Sequence, residues 1–166
     1  MGKKLFHFAR LLLKDENEAQ DAVQEVYIKL WNIKGDFKNI NNIEAFAMRI
    51  TRNWCLDRIK AKKPHLIENY SAGYDQQTDG ADPEKITETN DRFSHLKRLM
   101  EVLPEPQKTI LQLRDIEGYE FEEIAEVTAM KVNTIRVALS RARNKIKDTL
   151  LKIEDYGYQQ RADSAG

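Results

Sequence analysis

The chain has 166 residues, 33% charged and 41% hydrophobic, with a formal net charge of zero, a length that fits one domain or two small ones. No apolar run approaches the ~18–20 residues needed to cross a bilayer, and the start, MGKKLFHFARLLLK, has no cleavage-site pattern, so a cytoplasmic location is expected. Cys55 is the only cysteine, which excludes an internal disulfide and a multi-cysteine metal site; a small buried hydrophobe is its expected role.

Leu5, Ala9 and Leu12 predict a short helix before Asp15. Ala19, Ala22, Val23, Val26, Tyr27 and Leu30 then fall on one face of a helix of about four turns. Ile43, Phe46, Ala47, Ile50 and Trp54 repeat the pattern in a helix running towards Lys62, where Pro64 helps to end it. From Pro64 to Asn90 the periodicity is lost. That stretch is acidic and punctuated by Gly73, Gly80 and Pro83, so it reads as a flexible linker. Fully extended at ~3.3–3.6 Å per residue, it spans up to ~90 Å.

A second domain starts near Asp91, with Phe93, Leu96, Leu99, Met100 and Leu103 on one face before Pro104 and Pro106. Ile110, Leu111, Leu113 and Ile116 mark another helix, ended by Gly118, and a short helix follows over Phe121–Val127. The last helix has its seam at Val132, Ile135, Leu139, Ala142, Ile146, Leu150 and Ile153. No segment alternates with period 2, so the expected fold is all-α: a helical domain over 1–63, a linker over 64–90, a helical domain over 91–153 and a tail over 154–166.

Zero net charge conceals strong polarisation. Residues 49–63 carry Arg49, Arg52, Arg58, Lys60, Lys62 and Lys63 against Asp57, while residues 64–90 carry six acids against Lys85. Residues 131–147 hold Lys131, Arg136, Arg141, Arg143, Lys145 and Lys147 with no acid. The short helix before this last stretch is acidic instead, with Glu122, Glu123 and Glu126. Two short helices joined by a tight turn, the second alone basic, have the electrostatic shape of a unit that enters the DNA major groove. Ile124, Val127, Val132, Ile135 and Leu139 can pack the pair, leaving Asn133, Thr134, Arg136, Val137, Ser140 and Arg141 on the opposite face. Arginine pairs bidentately with guanine, asparagine reads adenine, and valine touches a thymine methyl; Lys145 and Lys147 suit phosphates. An ordinary solvated basic face would show the same segregation of charge. In the other basic stretch, Phe46 and Trp54 lie beside cations, as aromatic platforms for unpaired bases do, although their spacing equally makes them core. His7, His65 and His95 are scattered, and no metalloprotease, phosphate-loop, dinucleotide or nucleophile-elbow pattern is present, so neither an enzyme nor a cofactor is expected.

DAVQEVYIKLW (Asp21 to Trp31), AFAMRITRNWCLDRIKAKK (Ala45 to Lys63), LPEPQKTILQLRDIEGYEFEEIAE (Leu103 to Glu126) and NTIRVALSRARNKIK (Asn133 to Lys147) resemble, in order, the signature stretches of extracytoplasmic-function sigma factors of the sigma-70 family. The resemblance implies a sigma domain two and a helix-turn-helix sigma domain four joined by the acidic linker. Such a protein binds core RNA polymerase and directs initiation at a promoter. Asp21, Gln24, Glu25 and Lys29 match the part that docks on the β′ clamp helices, and the surface around Leu111 and Leu113 matches the part that packs on the β flap. Asn53 matches the residue that holds a flipped-out base of the −10 element, with the loop Asp36–Glu44, including Lys38 and Asn39, completing the pocket. Arg49, Arg52, Arg58 and Lys62 match contacts to the −10 backbone. Arg136, Val137, Ser140 and Arg141 match the −35 reading face, joined there by Asn133, Thr134, Arg143 and Lys145. The expected partners are core polymerase, promoter DNA and an anti-sigma factor, with no small-molecule substrate.

The chain departs from the family at identifiable places. The family has a further helix ahead of the point where this sequence begins, so a shortened first domain is expected. Phe46 stands where a tryptophan is usual, and Lys131 opens the recognition helix without a side-chain cap. Ala129 replaces the turn glycine; a left-handed backbone there would cost roughly 1 kcal/mol relative to glycine. The competing readings are a free-standing regulator that uses the same helix-turn-helix, and a pure protein-interaction module. A regulator has no need for the 21–31 and 45–63 stretches together, and an interaction module leaves the basic faces idle.

Overall fold

The structure, a computed structural model, describes residues 1–33, 35–63 and 91–165; the expected linker at 64–90 and the side chain of Phe93 lie outside what it describes. Among the described residues the chain is all-α, in two helical domains. The first contains α1 (Gly2–Leu13), α2 (Glu16–Asn32), a 3-10 turn (Phe37–Asn39) and α3 (Ile43–Lys62). The second contains α4 (Asp91–Glu101), α5 (Glu105–Leu111), a π-helical turn (Gln112–Ile116), α6 (Phe121–Thr128) and α7 (Val132–Ser164).

Local signals start the helices of the first domain. Asp15 caps α2 by accepting from the Glu18 N–H at 2.9 Å, and Asn42 caps α3 by accepting from the Ala45 N–H at 3.0 Å, each satisfying a donor that has no partner inside its helix. Leu5, Phe8, Ala9 and Leu12 of α1 are buried with Ala19, Ala22, Val26 and Leu30 of α2 and with Ala45, Ala47, Met48 and Cys55 of α3. The alanines let these backbones approach closely. Glu18 accepts from Lys62 at 2.6 Å and lies 3.6 Å from Arg58, tying the end of α3 to the start of α2. Cys55 is buried as expected, and burial pushes its thiol up to about 12.

The apolar seam of α2 is narrower than its periodicity suggests. Ala19, Ala22, Val26 and Leu30 form it, and Tyr27, on the flanking row, is 46% exposed. Ile43, expected on the buried face, is also exposed, at the first residue of α3.

In the second domain, Ile110, Leu111, Leu113, Ile124, Val127, Ile135, Leu139 and Ala142 pack α5, the π-helical turn, α6 and α7 around one core. The π-helical turn is closed by the Glu117 N–H donating to the Gln112 carbonyl, five residues back, at 3.0 Å. Gly118, at φ 74, then ends it as expected. The last helix does not stop near Ile153. It runs to Ser164, exposed from Leu150 onward, because residues 154–164 contain no proline and only Gly157 as a weak helix former.

The two domains lie against each other, with α6 packed on α3. Arg52 of α3 pairs with Glu105 of α5, Asn42 donates to Glu123 of α6 at 2.6 Å, and the Tyr119 hydroxyl donates to Glu44 at 3.1 Å.

Candidate nucleic-acid interface

The turn between α6 and α7 sets the angle of the second helix. Ala129 takes the left-handed conformation, φ 58 and ψ 26, and its N–H donates to the Ala125 carbonyl at 2.9 Å. The departure from glycine is therefore a real strain. Lys131 precedes α7 without a side-chain cap. Ile135, Leu139 and Ala142 face the core, and this turns Asn133, Thr134, Arg136, Val137, Ser140 and Arg141 outward, all exposed. A surface of hydrogen-bonding groups, a methyl pair and two guanidinium forks on one helix face is what base-edge readout in the major groove requires.

Phe121 has a role the sequence reading missed. Its ring centroid lies 4.7 Å from the Arg114 guanidinium and 5.0 Å from that of Arg136. Each cation is attracted by the ring face, which restrains the Arg136 side chain. Arg143 is already engaged within the protein: its Nε and Nη2 donate to the two oxygens of Asp115 at 2.9 and 2.5 Å, a bond that pushes its pKa further up. Lys145 is exposed.

On the first domain, Arg49 and Asn53 are exposed one turn apart on α3. Beside them lies a cavity of about 220 Å³, lined by Asn39, Asn41 and Asn42 of the loop, Phe46 and Arg49 of α3, and Glu126 of α6. Residues 39–42 of the loop line this cavity, and Asn53, expected to share a pocket with the loop, is not part of its wall. Lys38 is exposed on the 3-10 turn, and Phe46 and Trp54 are half-buried against the core, between the core and platform readings. Arg58 lies 5.7 Å from the Trp54 ring centroid, and both Arg58 and Lys62 are drawn to Glu18. Arg52 is the most enclosed cation of this set, its side chain 12% exposed, with Nε and Nη2 each 3.0 Å from a Glu105 oxygen.

Asp21, Gln24 and Lys29 are exposed on α2 and Glu25 is half-buried. Tyr27, Ile28 and Trp31 add exposed apolar area to the same helix. Leu111 and Leu113 are 5% and 0% exposed, in the core beneath α7, and Ile116 at the end of the π-helical turn is exposed beside them in sequence.

The Sigma-70 region 2 family profile matches residues 1–64, and the Sigma-70, region 4 profile matches residues 95–146. The ECF RNA polymerase sigma factor SigE of Mycolicibacterium smegmatis is 26% identical over 150 residues, covering 90% of this chain and 58% of that protein. The RNA polymerase sigma-H factor of Pseudomonas aeruginosa is 28% identical over 144 residues, covering 82% of this chain and 75% of the relative. The chain belongs to the extracytoplasmic-function group of the sigma-70 family. The fold agrees with that of the sigma factor RpoE of Bartonella quintana, solved in complex with the anti-sigma factor NepR, at a TM-score of 0.68 with 21% identity over 90% of this chain and 91% of that one.

For a sigma factor of this group the geometry separates the anticipated contacts into two kinds. The outward face of α7, and Arg49 and Asn53 on α3, stand open to solvent. Arg52, Asn42 and the pocket mouth are engaged by Glu105, Glu123 and Glu126 of the other domain. Nothing in the sequence pattern signals these pairings, whose members are 53 and 81 residues apart for the two hydrogen-bonded pairs.

Proposed function

We propose that this sigma factor binds core RNA polymerase and directs promoter-specific initiation by reading −35 duplex DNA with α7 and capturing melted −10 bases with α3 and the loop before it. The observation that supports this reading is the presence of two distinct exposed polar and basic surfaces on two domains. One is the face of α7 with Asn133, Arg136, Val137 and Arg141 outward; the other is a cation-and-amide face, Arg49 with Asn53, beside a cavity of about 220 Å³. Holding a base outside the stack offsets an unstacking energy of a few kcal/mol, and a second anchor on duplex fixes where that occurs. Arg58 and Lys62 serve the −10 backbone, and Lys145 the −35 backbone.

Core polymerase docks its β′ clamp helices on the exposed face of α2, where Asp21, Gln24 and Lys29 accompany Tyr27 and Ile28. The β flap meets the surface around Leu111 and Leu113, whose own side chains lie in the core. The complex of the similar Bartonella quintana protein with NepR supports control by an anti-sigma factor. Among the described residues no helix is long and apolar enough to cross a membrane, which fits work in the cytoplasm.

Purified protein is expected to co-migrate with bacterial core polymerase. Footprinting of duplex DNA without any binding to core would instead favour a free-standing regulator. Arg136→Ala and Arg141→Ala should each weaken −35 discrimination by ~1–3 kcal/mol if they read bases bidentately; uniform loss over all sequences would make them phosphate contacts. Asn53→Ala should impair open-complex formation more than initial binding, and unchanged melting would remove Asn53 from the base-capturing face.

A further inference from the structure

Asp115, in the π-helical turn, is an acid set against the basic helix α7, where charge alone would disfavour it. Its two oxygens accept from Nε and Nη2 of Arg143 at 2.9 and 2.5 Å. That pairing uses one edge of the planar guanidinium. Nη1 and the second Nη2 hydrogen form another edge, which can serve a second acceptor. Arg143 also lines a cavity of about 290 Å³, together with Phe121, Arg136, Leu139, Ser140 and Asn144. Asp115 is not part of that wall, so its carboxylate grips Arg143 from outside the cavity.

The wall has the chemistry of an anion site. None of its residues is acidic, and only Leu139 is buried. Arg136 is restrained by the Phe121 ring, 5.0 Å away, and Arg143 by Asp115. Ser140 and Asn144 add a hydroxyl and an amide, both exposed. Arg136, Ser140, Arg143 and Asn144 succeed one another along α7 at helical spacings of three and four, so they form one stripe. That stripe is continuous with the outward face that carries Asn133 and Val137. The anion that such a helix meets beside a major groove is a backbone phosphate of the duplex.

We propose that Asp115 is a positioning residue for DNA binding, fixing Arg143 so that the other edge of its guanidinium meets one backbone phosphate beside the −35 element. The inference rests on reading α7 as the −35 helix, and it makes the ion pair a support of the phosphate contact rather than a substitute for it. A free arginine loses rotamer freedom when it meets a phosphate; one already held by a carboxylate has lost most of it on folding. Against this, the Asp115 carboxylate brings negative charge towards DNA. It stands behind the guanidinium and is partly exposed, so solvent and salt screen that repulsion, whereas the Arg143 contact is direct. The two effects have opposite signs, and one substitution separates them.

The test is Asp115→Asn in the full chain. Affinity for a panel of short duplexes of differing sequence is read by fluorescence anisotropy over a salt series, for the protein alone and in complex with core polymerase. Asparagine keeps one acceptor but turns an amide N–H₂ towards the fork. The pair is partly exposed, its side chains 54% and 33% accessible, and such pairs add little to stability; circular dichroism checks that the variant folds. Loss of an acid acting through charge alone would raise affinity. The positioning role predicts a several-fold fall on every sequence, with the plot of log K against log salt shallower by up to about 0.9, the value of one phosphate contact. Arg143→Ala should lower affinity at least as far, and Asp115→Asn added to it should lower affinity no further. Asp115→Glu, which keeps the carboxylate, should recover most of the loss. Duplex binding by Asp115→Asn as tight as the wild type, or tighter, overturns the proposal. An equal fall in the Arg143→Ala background also overturns it, by making Asp115 a strut of the fold. A loss confined to particular sequences does so by making Arg143 a base reader. Wild-type protein with no affinity for duplex, alone or with core polymerase, would refute the −35 reading itself, whereas normal wild-type binding with an inert Asp115→Asn refutes only the positioning role.

Discussion

Ala129→Gly should stabilise this protein, and the size of the effect follows from one backbone angle. At φ 58 and ψ 26 the Ala129 Cβ crowds its own backbone, which costs an L-residue about 1–2 kcal/mol in this region. Glycine removes that strain but enters folding from a more disordered unfolded chain, an opposing cost of about 0.4–1 kcal/mol. Ala129 is exposed, so deleting its methyl forfeits little burial. The net gain is about 1 kcal/mol, and a domain of this size gains about 4–8 °C in Tm per kcal/mol. The assay is urea unfolding followed by far-UV circular dichroism, with the m-value checked for constancy. Ala129→Val should move the midpoint the other way, since β-branched residues tolerate positive φ worst. Lys14, at φ 57 after α1, provides an independent repeat: Lys14→Gly should raise the midpoint seen by tryptophan fluorescence, because Trp31 and Trp54 both lie in the first domain. A glycine variant at 129 no more stable than the wild type, at unchanged m, would refute the reasoning.

Three further outcomes follow from the same geometry. Leu113→Ala should cost about 2–5 kcal/mol, as large-to-small changes at fully buried sites do; a loss of polymerase binding with full thermal stability would restore Leu113 as a docking residue. Phe121→Leu should lower −35 duplex affinity several-fold by releasing Arg136, at about 0.5–1 kcal/mol per cation–ring contact, and an unchanged affinity in titrations would show that Arg136 needs no such support. The Glu44 carboxyl is held below its ordinary value chiefly by the hydrogen bond from Lys4, with a further one from Tyr119. A depressed carboxyl stabilises the fold above its unfolded pKa, about 4.3, and that stabilisation is lost as pH falls through the folded value. Glu44→Gln should therefore flatten the acid limb of the stability profile below about pH 4.3, and an unaltered limb would place the acid sensitivity elsewhere.

Much of the fold is legible in the sequence because helical periodicity and caps are local. The seam Ile135–Leu139–Ala142 determines which residues of α7 face outward, so the exposed face follows from spacing alone. Leu111 and Leu113 lie in the core, and an apolar stripe on a short helix looks the same whether it faces a core or a partner. Tyr27 was misjudged because a period of 3.6 does not say how wide the buried seam is. The pairings Arg52–Glu105, Asn42–Glu123 and Tyr119–Glu44 depend on how two separately patterned domains meet, and a one-dimensional pattern carries no such information. Ala129 is the opposite case: a missing glycine in a tight turn announces its strain directly, and the backbone bears it out.

The most direct measurement is transcription by core polymerase plus this protein on a library of random upstream sequences, with the 5′ ends of the transcripts mapped. The expected result is starts that depend on the protein and share two sequence elements at a fixed spacing near −35 and −10, the upstream one altered by Arg136→Ala and the downstream one by Asn53→Ala. Starts independent of the protein, or protein-dependent starts sharing a single duplex element that Asn53→Ala leaves untouched, would contradict a two-domain promoter-recognition subunit.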